Sequence, residues 1–129
     1  MAEKSVVRTD KAPGPFQGAP YNQAIAVGDL VFVAGQLGIS LETGALAGGG
    51  VAEQTEQIMA NLGAILEAAG SGLDNLVKTT VFLMDLDDFA AMNEVYAKHV
   101  GDRPPARSTV QISGLPSGAL VEIEAIATV

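Results

Sequence analysis

An arginine, two glutamates and an asparagine are the residues of this chain whose setting could carry chemistry. Arg107 follows Pro104-Pro105-Ala106 at the start of an extended run, where a stiff backbone can aim its guanidinium fork at a carboxylate ligand. A salt bridge to Glu122 or Glu124 would use the same charge structurally. Those glutamates sit in Val121-Glu122-Ile123-Glu124-Ala125-Ile126-Ala127, so strand alternation puts both carboxylates on one face and Val121, Ile123, Ala125 and Ala127 on the other. An exposed strand face accounts for the pair as well as a site does. Asn93 falls four residues after Phe89 and three before Tyr96, in one inward-looking sector of a helix. An amide there needs a partner, either a neighbouring loop in the core or a ligand.

Other chemistries are poorly supported. Cysteine is absent, which removes thiol nucleophiles, disulfides and cysteine-based metal sites. The lone His99 lies near a helix end, where a solvent-facing imidazolium suits the dipole, and one histidine makes a poor metal site. Gly48-Gly49-Gly50 lacks the Gly-Lys-Ser/Thr ending of a phosphate loop, and no Gly-x-Ser-x-Gly elbow is present to build a serine triad. No metal or nucleotide cofactor is expected.

The elements that must position these groups are legible from periodicity and punctuation. Ala12 to Pro20 is a Pro- and Gly-rich loop that delivers Tyr21 to the first ordered segment. Ala24 to Val27 and Leu30 to Ala34 form a hairpin across Gly28-Asp29, and Gly35-Gln36 opens a flexible connection running to the glycine triplet. From Val51 to Ala69, apolar residues at three- and four-residue steps predict an amphipathic helix ended by Gly70. Asn75 to Met84 reads as a central strand. Asp85 caps a second helix whose face is Phe89, Met92, Tyr96 and Val100, ending near Gly101. Ala106 to Ser113 and Leu120 to Val129 are strands joined by Gly114-Leu115-Pro116-Ser117-Gly118, and they should lie near each other. The order predicts one α+β domain over residues 1–129, a mixed sheet with both helices packed on one face.

Composition bounds the partners. The chain has 129 residues, of which 48% are apolar and 17% charged, enough for a core without staples and with a surplus that suits a face hidden against other subunits. A net charge of −8 repels phosphate backbones and anionic membranes, so nucleic acid is not expected as the main partner. No apolar stretch is long enough to cross a bilayer, and the amino terminus carries neither a long apolar core nor an Arg-rich amphipathic segment, which makes the cytoplasm the expected compartment.

Pro20-Tyr21-Asn22-Gln23-Ala24, Ala34-Gly35-Gln36, Val77-Lys78-Thr79-Thr80-Val81-Phe82-Leu83, Asp88-Phe89 with Asn93 and Tyr96, Pro105-Ala106-Arg107-Ser108, Leu115-Pro116 and the strand from Val121 to Ala127 occur in one order from about Ala12 onward. Together they resemble the reactive intermediate deaminase family, also called YjgF/YER057c/UK114. The resemblance implies a chorismate-mutase-like fold assembled as a homotrimer, with sites between neighbouring subunits. It implies cofactor-free hydrolysis of 2-iminopropanoate and 2-iminobutanoate to 2-keto acids and ammonia. On that resemblance Arg107 binds the substrate carboxylate and Glu122 holds or activates the attacking water. Tyr21 and Asn93 line the cleft, the backbone of Thr109 bonds the imine nitrogen, and Glu124 serves structure.

The chain departs from the family pattern at Ala34, where many active members carry serine, and at Thr109, which replaces a frequent cysteine. A missing hydroxyl at Ala34 removes a hydrogen bond worth about 1 kcal/mol to a substrate it would have touched. Two other functions are compatible with the same resemblance: a non-catalytic or chaperone-like trimer that binds small carboxylates, and the endoribonuclease or translation-inhibitor role attached to some relatives. The acidic balance speaks against the last.

Overall fold

Six strands form a single mixed sheet in the order β1-β2-β3-β6-β4-β5 in the computed structural model, which describes residues 2–129. They are β1 (Lys4–Val7), β2 (Ala24–Val27), β3 (Leu30–Leu37), β4 (Leu76–Leu83), β5 (Ala106–Gln111) and β6 (Val121–Thr128). All neighbours are antiparallel except β4 and β5, and that parallel pair is joined by a crossover through α2 (Phe89–Val100). The longer helix, α1 (Val51–Ala68), links β3 to β4.

Both helices cover one face of the sheet, as the sequence predicts for an α+β fold. Ile58, Met59, Leu62, Ile65 and Leu66 of α1 and Met92, Tyr96 and Val100 of α2 join Val31, Val33, Val81, Leu83, Val121 and Ile123 in one buried cluster. The opposite face is left open, with Phe32 and Val110 exposed on it. Among the described residues no helix is long and apolar enough to cross a membrane.

The helix ends follow local chemistry. Gly70, at φ +80, lets the Ser71 amide donate to the Leu66 carbonyl at 2.8 Å and closes α1. Asp85 caps a short 3-10 turn, Leu86–Asp88, by accepting from the Asp87 amide at 2.8 Å; α2 itself begins one residue later, at Phe89.

Three expectations need correction. The amino-terminal segment contains an edge strand, β1, paired with β2; only its Val7 is buried, so it carries no alternating apolar signal. Gly35-Gln36 does not end the second hairpin strand: β3 runs to Leu37 through a bulge between Val33 and Gln36, because Gly35 makes room for another side chain instead of breaking the strand. Finally, the expected nearness of β5 and β6 is not direct pairing: they are next-but-one neighbours in the sheet. The connection between them is pinned at the end of β4, where the Ile112 amide donates to Leu83 and the Met84 amide donates to Leu120, so β4 lies between the two strands.

Candidate active site

Sheet register decides what Arg107 can reach. Arg107 is paired with Thr79 on β4, and Thr79 is fully buried beneath α2, so Arg107 projects to the helix-covered face. Its guanidinium carbon lies 4.8 Å from the centre of the Tyr96 ring and 5.4 Å from that of Phe89. Two ring faces thus hold a cation without neutralising it. The Tyr96 ring is itself fixed, since its hydroxyl and that of Thr79 share a 2.7 Å hydrogen bond. Burial raises the Tyr96 pKa above its ordinary value, against the lowering influences of the Thr79 bond and the Arg107 charge, so the phenol stays neutral beside the cation.

Asn93 is adjacent on the same face of α2, one helical turn from both rings. Its Oδ1 is buried and has no hydrogen-bond partner, which overturns the alternative of an asparagine satisfied by a neighbouring loop. An unpaired buried acceptor costs about 1–3 kcal/mol until a donor reaches it. Phe89, expected to face inward, is instead exposed at the sheet edge, where the first turn of α2 overhangs Arg107. Thr109, two residues along β5, shares the Arg107 face and is half-buried opposite Val81.

Glu122 belongs to a different place. It is opposite Phe82 on β4 and Leu37 on β3, facing away from the helices, while its neighbour Ile123 enters the core. Gly35 abuts it so closely that an added Cβ would sit 2.8 Å from the Glu122 carboxyl carbon. Tyr21, Phe16, Gly14, Leu37 and Pro116 complete a largely apolar cleft around the carboxylate. Burial, with a smaller contribution from the Glu124 charge on the same strand face, raises the Glu122 pKa above the usual carboxylate value. Such a group exchanges protons closer to neutral pH than a solvated glutamate.

The predicted residues therefore fall into two sets. Arg107, Asn93 and Thr109 gather under α2; Tyr21 and Glu122 gather in the cleft on the other face. Ala34 sits in the β3 bulge beside Gly35, with its amide donating to Gln23 and its carbonyl accepting from the Gln36 side chain at 3.0 Å. Neither glutamate pairs with Arg107 in the chain. Among the described residues the one ion pair joins His99 of α2 to Glu56 of α1 at 3.1 Å, so His99 is a partly buried interhelical contact and not a free surface group. No cluster of three or more His, Asp or Glu side chains that could hold a metal occurs among the described residues.

Sequence reasoning missed Phe16, Gly35, Leu37 and Pro116 as cleft walls and Thr79 as the anchor of the Tyr96 ring. Gly35 could have been found: a glycine inside an otherwise regular strand pattern signals a bulge or a close approach. The others are brought in by register and loop path, for which one sequence carries no signal.

Known proteins support a family assignment. The chain matches the family described as Endoribonuclease L-PSP over residues 9–129. It is 52% identical to a RutC family protein of Pyrococcus abyssi, covering 96% of each chain. It is 44% identical to the human 2-iminobutanoate/2-iminopropanoate deaminase, covering 96% of this chain and 89% of the relative. The crystal structure of RidA from the Antarctic bacterium Psychrobacter sp. superposes with a TM-score of 0.91 at 44% identity, covering 97% of this chain and 99% of that one. The fold, the order of motifs and these likenesses together make the chain a member of the endoribonuclease L-PSP family, the family of the reactive intermediate deaminases.

Proposed function

We propose that this protein hydrolyses 2-imino acids such as 2-iminopropanoate and 2-iminobutanoate to 2-keto acids and ammonia, at sites assembled between copies of the chain in a homotrimer. The observation that carries the reading is Arg107: a guanidinium stacked against two rings of α2, with no carboxylate partner in its own chain. That is a cation kept for an external carboxylate. Glu122 supplies the complementary chemistry. Its carboxylate takes a proton from water as the water oxygen adds to the imine carbon, and the proton passes to nitrogen. The hydroxyl proton of the resulting aminoalcohol then passes through the Glu122 carboxylate to the amine nitrogen as the carbon–nitrogen bond breaks, so ammonia leaves and the carbonyl forms.

The need for more than one copy follows from the sheet. Arg107 and Glu122 point to opposite faces, and Glu122 is three residues along β6 from the row containing Arg107, a further offset of about 10 Å. A small imino acid cannot touch both in one chain. A head-to-tail contact that brings the α2–β5 edge of one copy onto the cleft of the next joins them, and closing such contacts into a ring gives one site per interface. Asn93 Oδ1 then meets a donor from the substrate or the neighbouring cleft, Tyr21 walls the substrate, and the Thr109 backbone bonds the imine nitrogen. Ala34 leaves the cleft one hydroxyl poorer, which bears on substrate preference.

The test is keto-acid or ammonia release from freshly generated 2-iminopropanoate and 2-iminobutanoate, comparing wild type with Arg107→Ala. Acceleration by wild type that Arg107→Ala loses, with the assembly intact by sedimentation, is the expected result. Binding of small carboxylates without acceleration would replace the deaminase with a carboxylate-binding trimer. The net charge of −8 gives a nuclease reading no comparable support.

A further inference from the structure

Gln23 lies just before β2, is 4% exposed, and directs every hydrogen bond of its side chain to one stretch of loop. Its Nε2 donates to the carbonyls of Thr9 at 3.1 Å, Ala12 at 3.2 Å and Pro13 at 2.9 Å, and its Oε1 accepts from the Thr9 amide at 2.8 Å. An amide has two protons to share among those three carbonyls, so the carbonyls converge on a single point. Between them Ala12 is pressed into the core at 2% exposure.

What this clamp holds continues directly into the candidate site. Pro13, Gly14 and Phe16 form the outer wall of the Glu122 cleft, and the Phe16 amide donates to Tyr21 Oη at 2.5 Å. Gly14 and Pro15 belong to no strand, so the wall is held by the Gln23 clamp at Pro13, by the Tyr21 hydroxyl at Phe16 and by the short turn in which the Gly18 amide donates to the Pro15 carbonyl at 3.1 Å. The Gln23 backbone carbonyl also accepts from the Ala34 amide at 2.9 Å, which ties the clamp to the β3 bulge beside Gly35. We propose that Gln23 is a positioning residue that fixes the Pro13–Phe16 wall over Glu122 and so controls how much water reaches that carboxylate. The inference rests on the cleft reading above for its kinetic consequence; its structural consequence needs no turnover.

Two variants of nearly equal length test it. Gln23→Met removes every bond of the clamp, whereas Gln23→Glu keeps the acceptor for the Thr9 amide and replaces the NH2 donor by an oxygen. The first readout is the carboxyl carbon resonance of Glu122 followed against pH in the assembled protein, assigned with Glu122→Gln. Loss of the clamp admits water, so the Glu122 titration moves down toward the ordinary carboxylate range, further in Gln23→Met than in Gln23→Glu. The other titratable or charged groups facing Glu122 are Glu124 on β6, Tyr21 in the cleft, Lys78 on the same face of β4 and, in the proposed assembly, Arg107 of a neighbouring copy. Gln23→Met alters none of them, whereas Gln23→Glu adds a carboxylate among the residues lining the same cleft, whose like charge holds the Glu122 titration up, so Gln23→Met is the deciding variant.

The second readout is kinetic: kcat/KM for 2-iminobutanoate falls about tenfold in Gln23→Met at a temperature where the protein remains folded, the loss of one well-placed set of contacts. The third is amide exchange in wild type, where the Thr9 amide is protected while that of Asp10 exchanges freely. A Glu122 titration unchanged in folded Gln23→Met would reduce Gln23 to a structural residue, and a Thr9 amide exchanging as fast as Asp10 would remove the clamp altogether. Absence of turnover in wild type would overturn the deaminase reading alone, because the titration and exchange results stand without it.

Discussion

The two halves of the candidate site are built by opposite means. Arg107 stands on β5, an edge strand, and is held from one side by the rings of Phe89 and Tyr96. Glu122 stands on β6 in the middle of the sheet, with ladders on both sides and loop walls around its carboxylate. On the proposed deaminase reading, the difference matches what each charge would do. An anchor must keep its charge and meet a ligand, which ring stacking at an edge allows and a salt bridge would prevent. A carboxylate base gains basicity from partial desolvation, and the central strand of a sheet with loop walls over it provides that, in keeping with the raised Glu122 pKa.

The largest effect is expected from breaking the two halves separately and then mixing them. Glu122→Gln should lower kcat by roughly 1000-fold, within the usual range for a lost general base. Arg107→Ala should lower kcat/KM by about 100-fold, the equivalent of about 3 kcal/mol of charge-assisted hydrogen bonding. If the halves come from different copies, unfolding and refolding the two inactive variants together restores intact sites, about a quarter of them for random assembly into a ring. If both halves acted within one chain, every site in the mixture would stay defective and no activity would return.

A titration sharpens the same point. The Glu122 pKa is raised in the folded chain, so its protonated form is favoured by folding; ionisation above that pKa costs stability, and the cost is relieved as pH falls through it. Activity that needs the carboxylate runs the other way and is lost as pH falls through the same pKa. Within one chain Arg107 does not contribute to this shift, whose causes are burial and Glu124. In the assembled protein Arg107→Ala should therefore raise the Glu122 titration only if a neighbour's guanidinium reaches the cleft. Carbon-detected titration of both proteins decides it; superposable curves would separate the two halves for good.

How far the sequence specifies this arrangement differs between the halves. The Val121 to Ala127 alternation places Glu122 on the non-core face directly, because β6 is regular and its inward residues are uniformly apolar. The sector of Asn93 and Tyr96 on α2 is equally legible from helical spacing. What single-chain periodicity could not supply is partnership. The pairing of β5 with β4, which brings Arg107 beneath α2, depends on a crossover and on a loop that passes the end of β4. Likewise Gly35 reads as punctuation until Glu122 is known to lie against it, and β1 lacks an apolar face to announce it. Local pattern fixes which way a side chain faces along its own element; long-range register fixes what it meets.

The packing behind Arg107 can be loosened without touching its charge. Thr79→Val leaves the Tyr96 hydroxyl buried without its 2.7 Å partner, at a cost of about 1–3 kcal/mol in unfolding free energy. The expected signature is a lower melting temperature together with a raised KM for the imino acid, since the ring that stacks on Arg107 is no longer fixed. A lower melting temperature with KM unchanged would show that Tyr96 supports the core and not the anchor.

The smallest expected effect falls on the outer ring. Phe89 is exposed and its centroid is 5.4 Å from the Arg107 guanidinium carbon, farther than that of Tyr96, so its stacking is worth about 0.5–1 kcal/mol. Phe89→Leu should accordingly raise KM about two- to fivefold with little change in kcat or in melting temperature. The ordering of the two ring perturbations is what matters. If Phe89→Leu raised KM more than Thr79→Val, the exposed ring would be the principal support of the anchor, and Arg107 would be positioned from the open end of its edge strand instead of from the core.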